Sequence, residues 1–256
     1  MGYECILVER DGPYTTITMN RPQRRNALSQ DHLRELTAAF EEAAGTDAQG
    51  IVLAGNGPVF SAGHDFADVV DADYKDVRDL LLTCENLMRT IQSVPQVVVA
   101  RVHALATAAG CQLVATCDLA VASTAAAFAT PGGKGGWFCH TPMVAVARNV
   151  GRKRAMEMAL SGDRIDAETA YAWGLVNRVV EPDALDKAAR ELLDRCTQGS
   201  PRAKALGKQT LYAQFDRPER DAYTLATEVM AGASQTPQAR EGMHAFLEKR
   251  RPVWPA

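Results

Sequence analysis

Two short runs of small residues carry the chemistry that can be read first: Phe60-Ser61-Ala62-Gly63-His64-Asp65 and Ala108-Ala109-Gly110-Cys111-Gln112-Leu113. Each lies at the edge of an apolar segment, and each lets a ligand approach the backbone closely. Brought together, they can offer a pair of peptide N–H groups to one oxygen. That is what a thioester oxygen requires as it becomes an enolate. Ala109 leads into a helix expected from Gly110 to about Thr116, where unpaired N–H groups and the helix dipole favour negative charge. The plain alternative is that Ala62-Gly63 and Ala108-Ala109-Gly110 only permit tight packing of chain on chain.

Other residues near these runs, or in the Gly-rich stretch further on, have chemistry of their own. Gln112 can hydrogen-bond a ligand or a water but cannot act as a base. Gly132, Gly133, Gly135 and Gly136 surround Lys134 and lead into Trp137, Phe138, Cys139 and His140. This stretch reads either as a surface loop or as an active-site wall. The imidazoles of His140 and His64 titrate in the useful range. His140 is as readily a structural histidine beside Pro142, and the His64 side chain can simply point away. Asp68 reads as a solvated acid or a pocket residue. Cys111 and Cys139 read as buried thiols rather than nucleophiles.

The elements that must position these groups follow from the apolar pattern. Cys5 to Glu9 and Tyr14 to Met19 are expected as strands around Asp11-Gly12-Pro13. A helix capped by Ser29 is expected to reach about Ala44. Gly50 to Ala54, Val97 to Val102 and Asp118 to Ser123 read as buried strands. Asp71 to Asp79 reads as an acidic, mobile stretch, with a helix from Leu80 to Ile91 after it. Helices are expected at Met143 to Val150, Arg152 to Leu160 and Ala167 to Trp173, with Val176 to Val180 extended. Four more follow near Asp183–Cys196, Pro201–Phe215, Pro218–Ser234 and Pro237–Lys249. The repeat of strand, Gly-rich turn, helix and strand, without G-x-G-x-x-G after the first strand, argues against a dinucleotide-binding domain.

Composition bounds the partners. The 256 residues are 46% hydrophobic and 23% charged, with a formal net charge of -3. Nucleic acid is not an expected partner of a mildly acidic chain, and no apolar run is long enough to suggest a membrane span. The six cysteines form no C-x-x-C, so no zinc or thioredoxin-like motif is indicated. Free thiols and the lack of a signal-peptide pattern suggest a reduced, cytoplasmic setting.

The chain resembles the crotonase (enoyl-CoA hydratase/isomerase) superfamily over nearly its whole length. The resemblance is carried by Asn20-Arg21-Pro22 with Asn26-Ala27-Leu28, the two small-residue runs, Cys117-Asp118, Gly151-Arg152-Lys153-Arg154-Ala155 with Leu160-Ser161-Gly162, Ala172-Trp173-Gly174-Leu175-Val176, and Phe246-Leu247-Glu248-Lys249-Arg250. It implies an α/β fold, a crotonase-like spiral of ββα units with a C-terminal helical region. The division it suggests is a spiral core over 1–197 and helices over 198–256 that serve assembly and site closure. A homotrimer or dimer of trimers is implied, with an acyl-CoA thioester as ligand. No permanently bound cofactor is implied, coenzyme A entering as part of the substrate.

By position, the resemblance makes the amides of His64 and Ala109 the oxyanion hole and places the two hydratase glutamates at Gln112 and Gly132. Both carboxylates are missing. A general acid or base contributes about 10²–10⁴-fold, so classical hydration is not expected, while isomerisation or decarboxylation stays open. A non-catalytic acyl-CoA binder is the alternative. The resemblance further suggests coenzyme A contacts from Arg24, Arg25, Ala62, Gly63, Asp65 and Gly110, with Lys249 in the final helix. His140 is the candidate replacement for the lost acid/base, and Trp137 a wall for the acyl group.

Overall fold

The computed structural model describes Gly2 to Pro255. A hairpin of β1 (Ile6–Asp11) and β2 (Tyr14–Met19) leads to α1 (Gln30–Ala44) and β3 (Gly50–Gly55), then α2 (Tyr74–Ser93). Next come β4 (Val97–Val102), β5 (Ala106–Thr107), α3 (Ala109–Thr116), β6 (Leu119–Ser123), β7 (Ala127–Ala129), α4 (His140–Val150) and α5 (Arg152–Ser161). After β8 (Ile165–Asp166), α6 (Ala167–Trp173) and β9 (Arg178–Val180), the chain is helical: α7 (Leu185–Thr197), α8 (Pro201–Gln214), α9 (Glu219–Ala233) and α10 (Pro237–Leu247).

One sheet has the order β1-β2-β3-β4-β6-β9, parallel except for the hairpin, and a smaller sheet has the order β5-β7-β8. Each turn of the chain contributes a strand to the large sheet, a short strand to the small one, and a helix: β4, β5, α3, then β6, β7, α4. The turn from β3 to α2 has only an isolated bridge, Ser61 to Ala106, in place of its second strand. This is the expected α/β spiral of ββα units.

Alternating residues of the large sheet enter two cores. Ile51, Leu53, Val98, Ala100 and Val102 join the core shared with α1, α2 and α3. Val52, Ala54, Val99 and Val121 face the opposite side, where α7 covers them with Leu185, Ala188, Ala189, Leu192 and Leu193. That spacing lays one apolar stripe along α7. Burial on both faces explains why β3 and β4 read as continuous apolar runs.

The stretch Asp71 to Asp79 differs from its expected mobile state. Asp73 accepts a hydrogen bond from the Asp76 amide at 2.9 Å, and α2 begins at Tyr74, six residues before Leu80. Acidic residues suit a first turn because they cap its amides and oppose the helix dipole. α4 likewise begins at His140 rather than Met143, and α10 ends at Leu247, leaving Lys249 and Arg250 beyond the helix.

A buried polar network fastens α8 to the core. Lys208 Nζ lies 2.8 Å from Asp118 Oδ2 and donates to the carbonyls of Ile91 and Gln96, while the Tyr212 hydroxyl and the Val98 amide donate to the same carboxylate. With its donors and acceptors satisfied, such a network fixes where the helix docks.

His32, fully buried at the start of α1, donates from Nδ1 to the Ala27 carbonyl at 3.1 Å, and burial lowers its pKa from 6.5 to about 4. The unfolded chain therefore takes up a proton that the native state refuses. Its contribution to stability is complete above pH 6.5 and is lost as pH falls toward 4, at about 1.4 kcal/mol per unit. Urea denaturation of the wild type between pH 7 and 5 should show this loss. His32→Asn, which keeps an N–H for Ala27, should flatten the slope by about that amount; an unchanged slope would contradict the assignment.

Candidate functional site

The two small-residue runs meet backbone to backbone. The amides of Phe60 and Ser61 donate to the Leu105 carbonyl, and Thr107 N donates to Ser61 O at 3.0 Å. A Cβ built on Gly63 would stand 2.8 Å from Ala108 Cβ and 3.1 Å from the Ala109 nitrogen, and one on Gly110 would stand 2.5 Å from Ser61 O. No side chain fits at either position without moving the other run. Gly63 also needs its freedom, with φ at +85°.

This contact leaves two amides without backbone partners among the described residues. Leu28 N donates to Gly63 O and Asp65 N donates to Leu28 O, so the intervening His64 N–H points away from Leu28. Ala109 is the first residue of α3, where no carbonyl precedes it in the helix. Among the described residues neither amide has a hydrogen-bond acceptor. Ala108 N donates to Ala129 O at 2.9 Å and Gln112 N to Ala108 O at 3.0 Å, which fixes the start of α3 against β7. The unusual backbone lies one residue before the proposed donor. Ala108 has φ 50° and ψ −119°, a strain costing roughly 1–3 kcal/mol, whereas Ala109 is ordinary helix.

The loop before α1 holds the first run from the other side. Asn26 is fully buried, with φ at 50°. Its Oδ1 accepts from Arg21 N, its Nδ2 donates to the carbonyls of Asn56, Val59 and Phe60, and its carbonyl accepts from Ser61 Oγ at 2.9 Å. Sequence reading used Asn26 only as a marker and assigned it no role. Its side-chain partners lie up to 34 positions away, so nothing local announced them.

Several expected ligand contacts are engaged within the protein. The Asp65 carboxylate is buried, pairs with Arg24 at 3.0 Å and Arg21 at 3.6 Å, and accepts from Ala67 N. Arg24 is thus held by Asp65 while half exposed. Arg25 is exposed, and its carbonyl accepts from Ala62 N at 3.0 Å, placing it beside the first run. Lys249 is exposed after α10, away from the final helix in which it was expected.

Both His64 ring nitrogens are buried, and burial lowers its pKa against the opposing pull of the Leu28 backbone and Asp68, which favours the neutral imidazole. Its ring centroid lies 6.1 Å from Trp137, which in turn meets Phe66 edge-on at 6.2 Å. Phe66, exposed in a 3₁₀ turn, was missed because a single aromatic in a polar stretch carries no periodic signal. His140 is exposed, with its ring 5.0 Å from Phe138, and no side-chain hydrogen bond among the described residues orients it. Gln112 is buried on α3 with its side-chain amide unbonded, and Gly132 lies in the 3₁₀ turn after β7. Burial pushes Cys111 up to about 12 and raises Cys139, which leaves both as neutral thiols.

The enoyl-CoA hydratase/isomerase family profile matches residues 10–256. The chain is 41% identical to mouse enoyl-CoA hydratase domain-containing protein 3, mitochondrial, over 96% of this chain and 82% of that one. Among solved structures, a Mycobacterium smegmatis enoyl-CoA hydratase superposes with TM-score 0.94 at 44% identity, covering 98% of this chain and 99% of its own. Human enoyl coenzyme A hydratase domain-containing protein 3 gives 0.91 at 38%, covering 98% and 100%. Curated relatives in mouse, rat and human are mitochondrial by name, and this overturns the cytoplasmic setting expected from the sequence.

Asn26→Ala leaves an amide and several carbonyls unpaired at once. It should cost on the order of 3 kcal/mol, read as a fall in the urea midpoint at constant slope. A loss below about 1 kcal/mol would show that the run at 60–63 holds its place without Asn26.

Proposed function

The chain belongs to the enoyl-CoA hydratase/isomerase family, and we propose that it binds an acyl-CoA thioester and stabilises its enolate with the amides of His64 and Ala109. The observation that carries this reading is that both amides stand unpaired where Gly63 packs against Ala109. Two fixed donors at a developing oxyanion each contribute about 3 kcal/mol to the transition state. The N-terminus of α3 adds a favourable dipole.

The reading departs from two-carboxylate hydration. Gln112 offers an amide where the resemblance implies one glutamate. At Gly132 a Cβ would stand 2.8 Å from Cys139 Sγ and 2.9 Å from its amide nitrogen, so the loop back from Trp137 fills the space of the other. Polarising the carbonyl remains. Loss of CO₂ from a 2-carboxyacyl thioester leaves its bonding electron pair in the enolate and needs no base to start. Double-bond isomerisation needs a proton carrier, and neutral His64 is the buried group beside the hole. His140, exposed at the start of α4, stands as the weaker candidate for that role.

Arg25 and the outer part of Arg24 supply positive charge for the phosphates of coenzyme A, the backbone near Ala62 and His64 meets the adenine, and Trp137 with Phe66 borders the acyl chain. A homotrimer or pair of trimers accounts for the apolar surface of the helical region. Phe215, Met230, Phe246 and Leu247 are each more than half exposed there, and α8 and α10 enclose a groove of about 720 Å³ lined by Met243, Phe246 and Trp254. Closure of the site by 198–256 belongs to the same proposal.

Incubation with crotonyl-CoA, a 3-enoyl-CoA and methylmalonyl-CoA, followed by mass spectrometry, tests the reaction. The expected result is turnover of the second or third, with crotonyl-CoA hydrated near the blank rate. Rapid crotonyl-CoA hydration that survives both His64→Ala and His140→Ala would sink the reading. Binding without turnover of any of the three would favour a non-catalytic acyl-CoA binder.

A further inference from the structure

Among the described residues Ala108 is the only apolar residue with a positive φ. Arg25, at φ 53° and ψ 36°, sits in the ordinary left-handed well. Ala108, at φ 50° and ψ −119°, lies outside it, near the angles of the first central residue of a type II′ turn, where glycine is the usual occupant. Glycine takes these angles freely. The chain carries a methyl instead, and its strain has no release. Ala108 N donates to Ala129 O at 2.9 Å and Ala108 O accepts from Gln112 N at 3.0 Å, so the backbone is held on both sides. A strained residue fixed in this way beside an unpaired donor points to a role for its side chain.

The seam between the two small-residue runs shows where the methyl stands. Thr107 N donates to Ser61 O at 3.0 Å, and beyond that bond, among the described residues, no hydrogen bond joins 62–64 to 108–110. Contact takes over there. The three atoms nearest to a Cβ built on Gly63 are Ala108 Cβ at 2.8 Å, Ala109 N at 3.1 Å and Thr107 O at 3.1 Å. Only the first belongs to a side chain. The Ala108 methyl therefore packs against Gly63, in a stretch where backbone otherwise meets backbone. Gly63 precedes His64 and Ala108 precedes Ala109, so this contact lies one residue before each unpaired amide.

We propose that the Ala108 methyl is a spacer that fixes the distance between the His64 and Ala109 amides, which makes Ala108 a positioning residue of the oxyanion hole. This rests on the enolate reading above and adds to it the atom that sets the width of the hole. Two donors serve one oxygen only at a fixed separation, and a preorganised pair loses effect when either one drifts. With glycine at 108 the turn relaxes, and the two runs are free to close over the vacated space while the Thr107–Ser61 bond holds. The methyl acts through Gly63 and through the start of α3, without touching the reacting atoms.

Infrared spectroscopy of the full chain with butyryl-CoA, isotopically labelled at its thioester carbonyl, reads the polarisation of that carbonyl. The wild type should lower its stretching frequency. Ala108→Gly should lose about half or more of that shift and bind butyryl-CoA within about twofold of the wild type. It should melt at or above the wild-type temperature, because the relief of strain outweighs the entropy that glycine adds to the unfolded chain. Ala108→Ser retains the Cβ and should retain the shift. On whichever thioester the wild type turns over, kcat should fall by about tenfold in Ala108→Gly with KM within about twofold. An unchanged shift or kcat in Ala108→Gly, a lower melting temperature, or an equal loss of shift in Ala108→Ser would overturn the spacer. A wild-type shift that Ala108→Gly preserves sinks the spacer alone; a wild type that binds butyryl-CoA without any shift, or does not bind it, sinks the enolate reading together with it.

Discussion

The close approach of Gly63 to Ala108 and Ala109, with Gly110 against Ser61, is the constraint on which the site depends. Two stretches of backbone lie where side chains would normally separate them. The approach leaves the amides of His64 and Ala109 without acceptors in a largely buried place, an arrangement that a fold keeps only when it is over-determined from outside. Asn26 supplies one support by hydrogen-bonding the chain just before the first run and at its start. The Ala108–Ala129 bond supplies another by anchoring α3 to the small sheet. Strain at Ala108 is what remains after these supports have acted.

The same constraint shapes the chemistry. Amides fixed by the fold need not reorganise as charge develops on a substrate oxygen, which makes them effective in a site shielded from water. The groups around them are neutral: a histidine whose charge burial opposes, a glutamine amide and protonated thiols. A site of this composition polarises and positions. It has no carboxylate at 112 or 132 to move protons, and the packing of Cys139 and Trp137 against Gly132 shows that the loop has settled around a glycine.

Much of the fold was legible because its signals are local. Buried strands such as Val97 to Val102 are continuous apolar runs, α1 announces itself with Ser29, and the two small-residue runs stand out by composition. What escaped depends on partners distant in sequence or on context. Asp71 to Asp79 looked like a mobile acidic stretch, yet Asp73 caps α2 and Asp76 sits in the first turn, where its dipole favours an acid. The positive φ beside the hole belongs to Ala108, one residue before the proposed donor, and nothing in its type announces it. Asp65 and Arg24 were both assigned to the ligand, but opposite charges on adjoining loops found each other first. His140 drew notice as a titratable residue in a Gly-rich wall; burial, which sequence does not report, singles out His64 instead.

The central claim is that the two amides share one thioester oxygen. A crystal structure of the chain with bound butyryl-CoA tests it most directly. The account predicts the thioester oxygen within about 2.7–3.1 Å of both the His64 and Ala109 nitrogens. An oxygen more than about 4 Å from either nitrogen, beyond hydrogen-bonding range, would contradict it.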